Sequence, residues 1–120
     1  MTPTFVLAYV ADPAKSAALY RRLLDAEPVE SSPNYAAFSL PNGVMLGLWG
    51  REQVEPRATL PGGMELGFPV ASDEEVSRIR YRWAALGLRI LQEPTRMDFG
   101  FTFTAADPDG HRLRVFAPAA

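Results

Sequence analysis

The sequence predicts an α+β fold of two βαβββ modules, and three observations predict it. A strand-like run followed by a capped amphipathic helix occurs twice, opening at Phe5 and at Met64. Each helix is followed by three further short extended segments. The last two of these flank Asp107-Pro108-Asp109-Gly110, with apolar and polar residues alternating on both sides. A period of two puts alternate side chains on opposite faces of a strand. Neither module alone can bury both faces of its sheet, so the two are expected to pair around a shared groove as one domain over residues 1–120. Module one covers about residues 1–57 and module two about residues 63–120.

The elements follow in order. Phe5-Val6-Leu7-Ala8-Tyr9-Val10 is rich in aromatic and β-branched residues and reads as a buried strand. Asp12 is a good N-cap and Pro13 suits the first helical position. Leu19, Tyr20, Leu23 and Leu24 form the helical stripe, and the helix is expected to end near Asp25 or Ala26, before Pro28. Val29 to Ser31, Asn34 to Leu40 and Val44 to Trp49 are extended, with a turn at Pro41-Asn42-Gly43. Residues 50 to 63 lack periodicity and read as a linker. Met64 to Val70 is a strand. Ser72 to Glu75 is a capping box, followed by Val76, Ile79, Trp83 and Leu86 at helical spacing and by Gly87 past the end. Leu88 to Leu91 is a strand, Glu93 to Asp98 a loop, and Phe99 to Phe116 the closing hairpin.

Composition narrows the function classes. Of 120 residues, 48% are hydrophobic and 22% charged, the balance of a globular chain. The net charge of -2 gives no general attraction to nucleic acid or to an anionic membrane, so neither is expected as a partner. No apolar run reaches membrane-spanning length and the start carries no signal-peptide pattern, so a cytoplasmic location is expected. The chain has no cysteine, which excludes disulfides and thiol chemistry. It has no GxSxG, no Walker loop and no GxGxxG.

The repeat, with Asp12-Pro13-x-x-Ser16-x-x-x-Tyr20 opening the first helix and Asp107-Pro108-Asp109-Gly110-His111 near the end, resembles the vicinal oxygen chelate superfamily. That superfamily holds glyoxalases, extradiol dioxygenases and bleomycin-resistance proteins, and it implies the glyoxalase/bleomycin-resistance fold. Ala8-Tyr9-Val10, Ala26-Glu27-Pro28-Val29, Tyr35-Ala36-Ala37-Phe38, Leu48-Trp49, Glu93-Pro94 and Asp98-Phe99-Gly100 are most similar to its phenazine-resistance proteins, and Phe116-Ala117-Pro118 is similar to its mitomycin-resistance binding proteins. Members of that kind form homodimers. Enzymes of the superfamily chelate a divalent metal through four strands. Counting from the motifs puts those positions at Phe5, Leu46, Glu65 and Arg114. A divalent site needs three or four N or O donors, and one carboxylate supplies too few, so no metal and no cofactor is expected. Thr4, Met45, Met64 and Leu113, one residue away, do no better.

Strand parity then groups the candidate ligand-binding residues. Phe5, Leu7 and Tyr9 share the face of the first ligand position. Leu46 and Leu48, Glu65, and Arg112, Arg114 and Phe116 are expected on the same side, with Trp49 out of phase but beside the linker and Phe99 at the hairpin start. Rings with a few fixed polar groups suit a flat organic ligand. Phe5 and Tyr9 fit core packing as well as ligand contact. Trp49 fits a core or dimer contact as well as a stacking platform. Arg114 fits an ion pair with Glu65, ligand binding, or both. His111 reads as a turn residue, Trp83 as core, and the face of Phe101 and Phe103 stays open. The leading expectation is a non-catalytic protein that sequesters a planar aromatic, antibiotic-like molecule as a homodimer. The alternatives are a glyoxalase-type lyase or isomerase, including a metal-free form with Glu65 as base, and a protein-interaction subunit.

Overall fold

The structure is a computed structural model that describes residues 2, 4–55, 57–60 and 64–119. The chain divides into two compact units, residues 1–60 and 61–120. Unit one runs β1 (Phe5–Val10), α1 (Pro13–Leu24), β2 (Glu30–Ser32), β3 (Tyr35–Ser39) and β4 (Met45–Gly50). Unit two runs β5 (Glu65–Pro69), α2 (Asp73–Ala85), β6 (Arg89–Met97), β7 (Gly100–Ala106) and β8 (Arg112–Pro118). Each unit is therefore strand, helix and three strands, as its patterning predicts. The strand orders match: β1-β4-β3-β2 in one sheet and β5-β8-β7-β6 in the other. In each, the first strand pairs parallel to the last and the remaining pairs are antiparallel.

Local chemistry sets the helix starts. Asp12 accepts a hydrogen bond from the Lys15 amide at 3.2 Å, with Pro13 as the first helical residue. Ser72 accepts from the Glu75 amide at 3.3 Å, and Asp73, Glu74 and Glu75 place negative charge at the positive end of α2. Helix α1 stops at Leu24 because Asp25 turns left-handed, with φ 51°.

The buried stripe of α1 is made of Pro13, Ser16, Ala17 and Tyr20, while Leu19, Leu23 and Leu24 are half-buried. Small residues let the helix approach the sheet closely, so Tyr20 alone carries the bulk. In unit two, Trp83 of α2 lies edge-on to Phe68 at 5.4 Å and to Phe103 at 5.5 Å between ring centroids. Val76, Leu113 and Val115 are buried with them. Trp83 is core, as expected, and Phe103 belongs to the helix-covered face.

Three expectations need correction. The segment Glu93 to Asp98 is not a loop: β6 continues through Pro94 to Met97. Proline is tolerated there because β6 is the edge of its sheet, and register shifts on either side of Gln92 absorb it. Residues 50 to 63 hold a 3-10 turn at Arg51–Gln53, and Val54 is buried; Pro56, Pro61, Gly62 and Gly63 of that stretch lie outside the described residues. The parity expected for β4 is also shifted by one.

The Asp107-Pro108-Asp109-Gly110 turn behaves as its chemistry predicts. Asp107 Oδ1 accepts from the amides of Asp109 and His111, each at 2.9 Å, and Gly110 has φ 88°. That fixes the register of β7 on β8.

Candidate functional site

In unit one the register settles which side chains share a face. Phe5 pairs with Met45, Leu7 with Gly47 and Tyr9 with Trp49. Tyr35 pairs with Trp49 across the other edge of β4. These residues point away from α1. The opposite face holds Leu46, Leu48 and Gly50, and a Cβ built on Gly50 would lie 3.4 Å from Pro13, the first residue of α1. Leu46 and Leu48 are thus buried core rather than site residues. The run Val44 to Trp49 is apolar on both faces, so alternation alone did not show its phase.

The helix-free face of unit one is aromatic. Phe5 is 61% exposed, Leu7 46% and Tyr9 39%. Tyr9 and Trp49 meet edge to face at 6.3 Å. A Cβ on Gly47 would come within 2.6 Å of both Leu7 Cδ2 and the Tyr35 hydroxyl oxygen. Only glycine leaves room for Tyr35 to lie across the sheet there. Tyr35 escaped the sequence reading. Its pairing with Trp49 is the signal, and it depends on a register that a single sequence does not state.

In unit two, Glu65, Gly67 and Pro69 share a face with Arg112, Arg114 and Phe116. Arg114 is the centre of this face. Its Nε donates to Glu65 Oε1 at 2.7 Å. Its Nη1 donates to Gln92 Oε1 at 3.1 Å and to Thr102 Oγ1 at 3.3 Å. Thr102 in turn donates its hydroxyl hydrogen bond to the Val115 carbonyl at 2.8 Å, and Thr104 donates to Gln92 Oε1 at 3.1 Å. The Gln92 amide must turn its oxygen inward, since a guanidinium only donates. The ion pair and the neutral acceptors together hold a side chain that is 18% exposed.

Phe99 lies under this guanidinium, with the Arg114 carbon 5.6 Å from the ring centroid, and meets Phe116 edge to face at 6.1 Å. Gly100 makes the position possible. Its φ is 147°, and a Cβ there would overlap the Ala117 carbonyl oxygen. The Ala119 amide donates to the Phe99 carbonyl at 2.8 Å and ties the hairpin corner to the end of β8. Gln92 and Thr102 were missed from sequence because β6 read as ending at Leu91 and the phase of β7 was open. Arg112 is exposed on the same face, and His111 holds the turn through its amide.

The side chains at the positions where superfamily enzymes bind metal do not fit a divalent ion. They are Phe5, Leu46, Glu65 and Arg114: Phe5 and Leu46 offer no donor, Leu46 lies on the helix-covered face rather than beside Phe5, Arg114 is a cation, and Glu65 already accepts from it. Among the described residues no group of three or more His, Asp or Glu side chains gathers at metal-binding distance. Among them, too, no helix is long and apolar enough to cross a membrane.

Comparison with known proteins agrees with this architecture. The chain is 32% identical over 118 residues to the phenazine antibiotic resistance protein EhpR of Enterobacter agglomerans, covering 96% of this chain and 91% of that protein. The solution structure of protein ATC0852 from Agrobacterium tumefaciens is 50% identical, superposes with a TM-score of 0.93, and the match covers 100% and 99% of the two chains. A glyoxalase-related enzyme from Fulvimarina pelagi, 24% identical over 98% of this chain and 88% of its own, shares the fold with a TM-score of 0.88. Residues 3–115 match the family model of the glyoxalases, bleomycin-resistance proteins and dioxygenases. The protein belongs to the Glyoxalase/Bleomycin resistance protein/Dioxygenase superfamily.

Proposed function

We propose that this protein binds and sequesters a planar aromatic, antibiotic-like small molecule and so protects the cell that makes it. The observation that carries the reading is its likeness, over nearly the full length of both chains, to a phenazine antibiotic resistance protein. The helix-free faces support it. One offers Phe5, Tyr9 and Trp49 as rings for stacking. The other offers Phe99 and Phe116 beside a pinned guanidinium. Rings with few, fixed polar groups bind flat organic molecules without needing a reactive centre.

The same reading makes the protein a metal-free, cytoplasmic homodimer. The half-exposed apolar side chains of β1 give a second copy surface to cover. Light scattering on the purified protein reads the dimer.

Fluorescence titration tests the binding. Phenazine, a mitomycin-like quinone and bleomycin are added in turn to the protein and to its Trp49→Phe variant. Quenching by a planar ligand at micromolar concentration, largely lost in Trp49→Phe while the core Trp83 remains, is the expected result. No quenching by any of the three overturns the reading.

A further inference from the structure

The helix-free face of unit two changes character row by row along its strands. The register puts Glu65, Arg112, Ala106 and Arg89 in one row across the sheet. The next row is Gly67, Arg114, Thr104 and Gln92. Beyond it lie Pro69, Phe116 and Thr102, with Phe99 at the corner. Successive rows stand about 6.6 Å apart, two residues of strand rise. The face therefore runs from charged to aromatic over about the length of a fused-ring molecule.

The charges on it do not balance. Arg89, Arg112 and Arg114 stand against Glu65 alone. Among the described residues neither the Arg89 nor the Arg112 side chain has an ion-pair or hydrogen-bond partner. Arg114 uses Nε and Nη1 on protein acceptors, while Nη2 has no acceptor among the described residues. Nη2 is open at the surface of this face; its two unused N–H bonds can receive an oxygen acceptor, and the local excess of positive charge favours an anionic one. Beside it Gly67 leaves the sheet bare: a Cβ there would meet only Phe116 Cε1, at 3.4 Å.

From this we infer that the ligand is an aromatic carboxylate. Its carboxylate is received by Arg114 Nη2 and its rings lie over Gly67 toward Phe116 and Phe99. This rests on the sequestration reading and adds the charge class of the ligand.

Calorimetric titration with phenazine-1-carboxylate, phenazine-1-carboxamide and phenazine at neutral pH tests it. The carboxylate is expected to bind the wild type about tenfold tighter than the carboxamide, the gain of a charge-assisted over a neutral hydrogen bond. Arg114→Gln should bring the two within about twofold, the contact having become neutral. Arg112→Gln, at an exposed and unpartnered side chain, keeps the fold and should reduce the preference by less. Gly67→Val, which covers the bare strip beside Phe116, should weaken all three ligands. Equal binding of the three ligands by the wild type overturns the inference and leaves sequestration standing. Unchanged carboxylate binding by Gly67→Val overturns the placement. No binding of any ligand removes the sequestration reading, and this inference with it.

Discussion

The two units share one strand order and one helix position and differ in what they set on the face away from the helix. In unit one that face carries Phe5, Leu7, Tyr9, Tyr35 and Trp49, with Glu30 on the edge strand as its charge. In unit two the matching strands carry Glu65, Arg112, Arg114, Gln92 and two buried threonines. The helix-covered faces are alike in being apolar. The fold therefore constrains one face of each sheet and leaves the other free to take a different chemistry. An aromatic surface and a network around a pinned guanidinium have been divided between two copies of one architecture.

The largest effect is expected where the units agree. Trp83→Ala removes the ring shared by Phe68 and Phe103 and should cost ~3–5 kcal/mol, read as a lowered urea midpoint. A loss below ~1 kcal/mol would mean the core under α2 is not organised around that ring.

Next comes the corner on which Phe99 stands. Gly100→Ala forces a side chain into left-handed backbone against the Ala117 carbonyl and should cost roughly 1–3 kcal/mol. Arg114→Gln should then cost ~1–3 kcal/mol in the absence of ligand, because Glu65, Gln92 and Thr102 lose a common donor. Tyr9→Ala on the other face should cost less than ~1 kcal/mol, since its ring is already partly in water. Equal costs for Arg114→Gln and Tyr9→Ala would erase the distinction between an anchored face and an open one.

Much of this was legible in the sequence. The helix caps, the Asp107 turn and the order of elements depend on local chemistry, and local chemistry is what a sequence displays. The phase of β4 was not legible, because Val44 to Trp49 offers no polar residue to mark the outer face. The length of β6 was hidden by Pro94, which reads as a breaker unless the strand is known to be an edge. Arg114 and Glu65 were recognisable as a pair because both lie on strands with clear alternation. Tyr35 in one unit, and Gln92 and Thr102 in the other, come to the helix-free faces of their own sheets through register between strands, which no short stretch of sequence encodes.

The smallest expected effect is electrostatic. Arg80 grips Glu93 with two hydrogen bonds of 2.8 Å, and these hold the Glu93 carboxyl below its usual range and the Arg80 guanidinium above its own. The folded carboxyl is the stronger acid, so the pair contributes stability above the ordinary carboxylate range and loses it as pH falls through the depressed value. Glu93→Gln should flatten that part of the acid dependence of urea unfolding, and only slightly, because the pair is open to solvent. A large change would show that β6 depends on α2 more than the rest of its contacts imply.

The central claim is that a planar aromatic ligand lies on a helix-free sheet face. Amide chemical-shift mapping on isotope-labelled protein during titration with phenazine-1-carboxylate tests it most directly. The account predicts that shifts concentrate on sheet strands, with β5, β8 and the Phe99 corner among them, and that α1 and α2 are little changed. Shifts confined to the helices, or none at saturating ligand, would contradict it.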